Sequence, residues 1–142
     1  ESFSAMHDWQ MRFSTSWQRS ENLATEQELE SVLPAQSIIG IQYRTAEDPW
    51  RIELVATHTE KSNTLTNSAD GSDFFAAPSH ITWDLLAHYK LSDTARVNAG
   101  FFNLTDKQYW LSSETRGRTM EEDLSRFTAP GRNFAVNVVM SF

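Results

Sequence analysis

The run "NFAVNVVMSF" (133–142) alternates without a break, with Phe134, Val136, Val138, Met140 and Phe142 on one side and Asn133, Ala135, Asn137, Val139 and Ser141 on the other. Period 2 is the signature of an extended strand with two unlike faces. Five more segments repeat it. Trp9, Met11, Phe13, Thr15 and Trp17 oppose Gln10, Arg12, Ser14, Ser16 and Gln18. Ile39, Ile41 and Tyr43 oppose Gly40, Gln42 and Arg44. Trp50, Ile52, Leu54 and Ala56 oppose Arg51, Glu53, Val55 and Thr57. Ile81, Trp83, Leu85, Ala87 and Tyr89 oppose Thr82, Asp84, Leu86, His88 and Lys90. Val97, Ala99 and Phe101 oppose Arg96, Asn98 and Gly100. The chain therefore reads as all-β, with strands near the ~9–11 residues that a membrane-crossing β-strand needs.

The connections alternate in length. Long polar stretches at about 20–36, 63–79 and 105–132 are separated by the tight turns "AEDP" (46–49) and "LSDT" (91–94). Loops on one end of a sheet and tight turns on the other is the build of an antiparallel transmembrane barrel. "TEQELESVLP" (25–34) has the makings of a short helical turn stopped by Pro34, but is read as loop.

Composition narrows the options. Five Trp and nine Phe in 142 residues, with a mean hydropathy of -0.49, fit strands whose faces meet different solvents. The tryptophans and tyrosines of the apolar face, with Phe142, stand mainly toward strand ends, where the aromatic girdles of a membrane barrel lie. A soluble β-sandwich binding module shows the same alternation, but more often holds its tryptophans mid-strand. A formal net charge of -7 argues against a nucleic-acid surface, and with no cysteine there is no disulfide or thiolate metal site. The start carries no signal region, which suggests a fragment of something longer. Neither a phosphate loop nor a His-Glu-x-x-His motif occurs, and "SADGSD" (68–73) has too few spaced carboxylates for a calcium loop. No catalytic residue and no resident metal are expected.

The stretch "GFFNLTDKQYWLSSETRG" (100–117), followed by "LSRFTAPGRNFAVNVVMSF" (124–142), resembles the C-terminal end of TonB-dependent outer-membrane receptors. Asn103, Leu104, Asp106, Lys107 and Tyr109 carry the general likeness. Thr105, Trp110, Arg116, Gly117 and "FTAPGRNF" (127–134) are similar to the haem and haemoglobin receptor branch. The resemblance implies that residues 1–142 are the last six strands of a barrel of about 22 strands around a plug. It implies an outer-membrane receptor of a Gram-negative bacterium that takes up haem, free or on a carrier protein, with energy from the TonB inner-membrane complex. Alternatives are a siderophore or other TonB-dependent receptor, or a non-transporting outer-membrane barrel such as an adhesin or passive pore.

Haem is then cargo, held mainly by parts outside this chain, and nothing is bound covalently. Ligand-contact candidates in the loops are Tyr109, Trp110, Arg116 and Arg118, with His58 and His80 near the outer rim; the bland alternative is a solvated loop packed on its neighbours. His7 is placed in a turn or terminus, and His88 facing the lumen. Phe134, Val136, Val138, Met140 and Phe142 resemble the C-terminal signal read by the barrel assembly machinery. The remaining partner is outer-membrane lipid.

Overall fold

The computed structural model describes residues 7–18, 21–22, 27–28, 33–45, 49–63 and 73–141. Six long strands form one antiparallel sheet: β1 (His7–Ser16), β4 (Gln36–Thr45), β5 (Trp50–Thr59), β6 (His80–Lys90), β7 (Ala95–Phe102) and β8 (Asn133–Met140). Their spatial order is β1-β4-β5-β6-β7-β8, so each pairs with its nearest long neighbour in sequence. Between β1 and β4, two short segments, β2 (Glu21–Asn22) and β3 (Gln27–Glu28), pair with each other. Gln27 and Glu28 are thus extended where a helical turn had been open, and 29–32 lie outside the described residues. His7 begins β1 rather than a turn, and Phe142 also lies outside the described residues.

Register carries the alternation across the whole sheet. One rung reads Met11, Ile41, Leu54, Leu85, Phe101, Phe134, and the next polar rung reads Gln10, Gln42, Glu53, Leu86, Gly100, Ala135. One face is therefore apolar from edge to edge, and it is bare. Met11 is 75% exposed, Phe134 72% and Trp9 67%. Among the described residues only Val55 and Ala77 are buried hydrophobics, so the sheet has no core of its own. A water-soluble domain cannot leave such a surface uncovered, and among the described residues no second sheet packs on it as a sandwich requires.

Aromatics mark the two ends of the apolar face. At the short-turn end Trp9, Tyr43 and Trp50 form a chain with ring centroids 4.7 and 5.5 Å apart, and Tyr89 sits opposite Trp50. Phe13 and Trp83 stand nearer the long-loop end, with Trp17 just past the end of β1. β1 and β8 are the sheet's edges, each with one side of its backbone unpaired within this sheet. In hydrocarbon an unpaired backbone group costs several kcal/mol, so only further strands that close the sheet satisfy them.

The opposite face handles its charge by pairing across strands. Arg44 donates to Asp8 through Nε and Nη2 at 2.8 and 2.5 Å. Arg12 reaches over β4 to Glu53 at 2.9 Å. That reach depends on Gly40, where an added Cβ would stand 2.7 Å from Arg12 Nε and 2.8 Å from Glu53 Oε1. Glu53 is buried, so losing its partner has a desolvation cost. Gly40→Ala in the complete protein is therefore expected to lower stability by about 1 kcal/mol. Once Arg12 is replaced by Gln the same change should cost almost nothing. Urea unfolding of the four members of this double-mutant cycle in detergent checks it, and additive losses would show that Gly40 acts through something other than the ion pair.

Candidate functional site

β7 ends at Phe102, just past its last alternating residue, because Asn103 takes a left-handed backbone (φ 50), a conformation Asn tolerates. Asn103 is buried and is the hub of a clasp. Its backbone N–H donates to Asp84 Oδ1 at 2.8 Å, and its side-chain oxygen accepts from Lys107 N at 2.8 Å. Its side-chain amide donates to the carbonyls of Lys107 and Pro130, at 2.9 and 3.3 Å. Asp106, also left-handed (φ 52), accepts from Arg132 N at 2.7 Å. Gly131 lets that carboxylate approach, since a Cβ there would lie 2.7 Å from Asp106 Oδ1. Residues on both sides of the 103–132 connection are thus tied together at its base.

Above the clasp the loop is packed. The Trp110–Thr128 bridge continues the pairing, Ala129 N donates to Tyr109 O at 2.9 Å, and Trp110 Nε1 donates to Leu124 O at 2.8 Å. A short 3-10 turn, Leu124–Phe127, is capped by Asp123, whose carboxyl the Ser125 hydroxyl and N–H hold below its usual range. The loop also ties to the β5–β6 connection: Phe74 bridges Thr119, Phe75 N donates to Arg118 O at 2.6 Å, and the Phe75 and Trp110 rings meet edge-on at 5.7 Å.

The arrangement encloses a hollow at the long-loop end. Its floor is the last polar-face rung, Ser16, Gln36, Thr59 and His80, which the register brings side by side. Trp110, Leu111, Ser112 and Ser113 also line it, with Trp17 and Leu33 across the hollow, around about 240 Å³. His80 is buried, and its ring stacks on Tyr109 with centroids 4.3 Å apart. His80 Nδ1 lies 3.3 Å from the Pro78 carbonyl, which accepts when that nitrogen carries the proton. Burial, aided by the nearby Asp84 charge, pushes the Tyr109 phenol above its ordinary pKa, so it stays neutral against the ring. The hollow falls below the ~300–1,000 Å³ of small-molecule pockets and suits one ring or one side chain.

The candidates from sequence separate into distinct roles. Trp110 and His80 line the hollow, and Tyr109 stacks on His80. Arg118 is engaged within its loop, its guanidinium 4.6 Å above the Phe127 ring and 3.1 Å from Glu122. Arg116 is exposed. His58 and His80 both lie in strands rather than loops, and His58 belongs to the apolar face, opposite Ser37 and Ile81. His88 lies on the polar face and meets Asn98 Oδ1 at 2.7 Å. Phe134, Val136, Val138 and Met140 lie along the exposed apolar side of β8. Ser16, Gln36 and Thr59 were not singled out from sequence, because the partners of a rung joined by long connections cannot be counted across.

Comparison with known proteins agrees with this geometry. The chain is 25% identical to the hemoglobin and hemoglobin-haptoglobin-binding protein of Haemophilus ducreyi, over 80% of this chain and 14% of the relative. It is 26% identical to the hemoglobin-haptoglobin-binding protein A of Haemophilus influenzae, over 80% of this chain and 13% of that one. Among solved structures, the copper transporter OprC matches 94% of this chain and 21% of its own length, with a TM-score of 0.75 at 22% identity. The resemblance to TonB-dependent receptors and their haemoglobin-binding branch holds. The likeness to OprC is one of fold, and the chain spans about a seventh of the curated relatives it matches. These relatives are binding proteins and the solved structure is a transporter, in line with the expectation of no enzyme activity. No family model matches the chain.

The clasp makes a direct prediction. Asn103→Ala leaves Lys107 N and the Pro130 carbonyl without their partner and should cost about 2–3 kcal/mol locally. Protease nicking of the complete protein in detergent within 104–130 should rise by at least tenfold, with the strands still protected. Unchanged nicking would mean that the clasp does not hold the loop.

Proposed function

We propose that this chain forms part of an outer-membrane receptor of a Gram-negative bacterium that captures haem, or a haem-carrying protein, at its long-loop end. The haem is then imported with energy from the inner-membrane TonB complex. The observation that carries the reading is the similarity to haemoglobin-binding proteins across 80% of the chain, on a sheet whose apolar face needs lipid. The fold by itself leaves the ligand open, since it is shared with a copper transporter. Outer-membrane lipid covers the apolar face, and the barrel assembly machinery reads the alternating C-terminal strand.

Within this reading the loop arginines divide the work. Arg118 braces the loop through Phe127 and Glu122, which leaves it little reach for a ligand. Arg116 is exposed on the same loop as the hollow's roof, and a guanidinium there can take a carboxylate of a carrier protein or a haem propionate. The hollow lined by Trp110–Ser113 of the same loop accepts a single side chain of a carrier more readily than a porphyrin, given its size.

Titrating the full-length receptor with haemoglobin and with free haem tests this. Wild type should bind at least one of them, seen as a change in Soret absorption or as co-elution. Arg116→Glu should weaken haemoglobin binding by about tenfold, or roughly 1.4 kcal/mol. His58→Ala should leave it unaltered, because that ring sits on the lipid side. Binding of neither ligand by the wild type would contradict the reading.

A further inference from the structure

The hollow at the long-loop end carries a single acid and no Lys or Arg. Of the described residues that line it, Glu60 is the only Asp, Glu, Lys or Arg. Glu60 follows directly on β5, and its backbone N–H donates to Ala35 O at 2.9 Å, so the ladder holds it beside the last rung and its side chain is left out of the work. Carboxylates on the sheet's polar face are matched: Asp8 takes Arg44, Glu53 takes Arg12, and Asp84 takes the Asn103 N–H. The exposed Glu60 side chain has no such partner among the described residues. Lys61 and Arg116, the cations nearest in sequence to the two sides of the hollow, are exposed and do not line it.

The rest of the lining says what such a carboxylate can take. Trp17, Trp110, Leu33 and Leu111 supply apolar walls, and Trp17 and Leu111 are held 75% and 44% exposed. Ser112 and Ser113 add hydroxyls. An apolar occupant would strip water from the carboxylate and give nothing back, and an anionic one would be repelled. A long cationic side chain satisfies both parts, since its methylene stem lies on apolar surface, its head stays with polar groups, and indole faces attract the charge. Arginine's flat fork asks for acceptors in one plane, whereas one carboxylate among separate hydroxyls suits the three rotatable donors of an ammonium. The volume, about 240 Å³, has room for one such chain.

We propose that this hollow seats one lysine side chain of a haem-carrying protein, its stem along Trp17 and Trp110 and its ammonium on Glu60. The inference rests on the reading of the chain as part of a receptor for such a carrier, and it names the chemistry that the carrier must present.

Haemoglobin binding to the full-length receptor in detergent tests it, with two readouts. Glu60→Gln keeps the size of the side chain and the backbone bond to Ala35, and should weaken haemoglobin binding by about tenfold. Glu114→Gln removes an exposed carboxylate of the neighbouring loop that does not line the hollow, and should weaken it by less than about twofold. Zero-length carbodiimide coupling of the wild-type complex, read by mass spectrometry, should join Glu60 to a haemoglobin lysine, and Glu60→Gln should lose that link. Unchanged affinity on Glu60→Gln, an equal loss on Glu114→Gln, or a formed complex in which Glu60 couples to Lys61 alone or to nothing would each overturn the proposal. A wild type that binds free haem but not haemoglobin would overturn it while leaving haem capture standing, and one that binds neither would sink both.

Discussion

A sheet that buries almost none of its apolar side chains is the constraint from which the rest of this structure follows. Hydrophobic burial is the main favourable term in folding, and among the described residues only Val55 and Ala77 supply it in the usual way. The apolar rungs must therefore be covered by something other than protein core. Lipid meets the need without any partner surface, provided that every backbone group within the hydrocarbon is paired. Long antiparallel ladders do this in the sheet's interior, and the open sides of β1 and β8 show where further strands must join.

With one face given over to apolar side chains, the other must hold the charges that strands of this length contain. The sheet does so by pairing across strands instead of along them, as in Arg44–Asp8 and the Arg12–Glu53 pair that passes over Gly40. His88, Asn98 and Asn137 continue the same device, with 2.7 and 3.4 Å contacts running through β6, β7 and β8. At the long-loop end, ordering comes from a different source. Asn103 and Asp106 fasten the base of the last loop, and Trp110, Phe75 and Arg118 tie it to its neighbour, so this end of the sheet carries a built surface.

Much of the fold is legible in the sequence because period 2 leaves little freedom: a one-residue slip would turn Met11, Ile41 and Leu54 from the apolar face to the polar one. The short connections between Thr45 and Trp50 and between Lys90 and Ala95 limit the register of two hairpins. Strand ends are less legible, since they depend on single backbone conformations, as at Asn103. Its pattern of Asn, Asp, Pro and Gly signals a loop but not which carbonyls it will hold. The stack of His80 on Tyr109 is farther still from the sequence, because it joins residues 29 positions apart through a loop whose path depends on its own packing. His58 was legible in principle: it continues Trp50, Ile52, Leu54 and Ala56 at the same spacing, which places it on the apolar face.

The central claim is that the alternation divides lipid from lumen, and site-directed spin labelling of β8 in the complete protein, reconstituted in bilayers, tests it most directly. Labels at positions 134, 136, 138 and 140 should be accessible to oxygen and shielded from a water-soluble nickel chelate. Labels at 135, 137 and 139 should show the reverse. A β8 that reads as uniformly water-accessible, or whose two sets respond alike, would contradict the account.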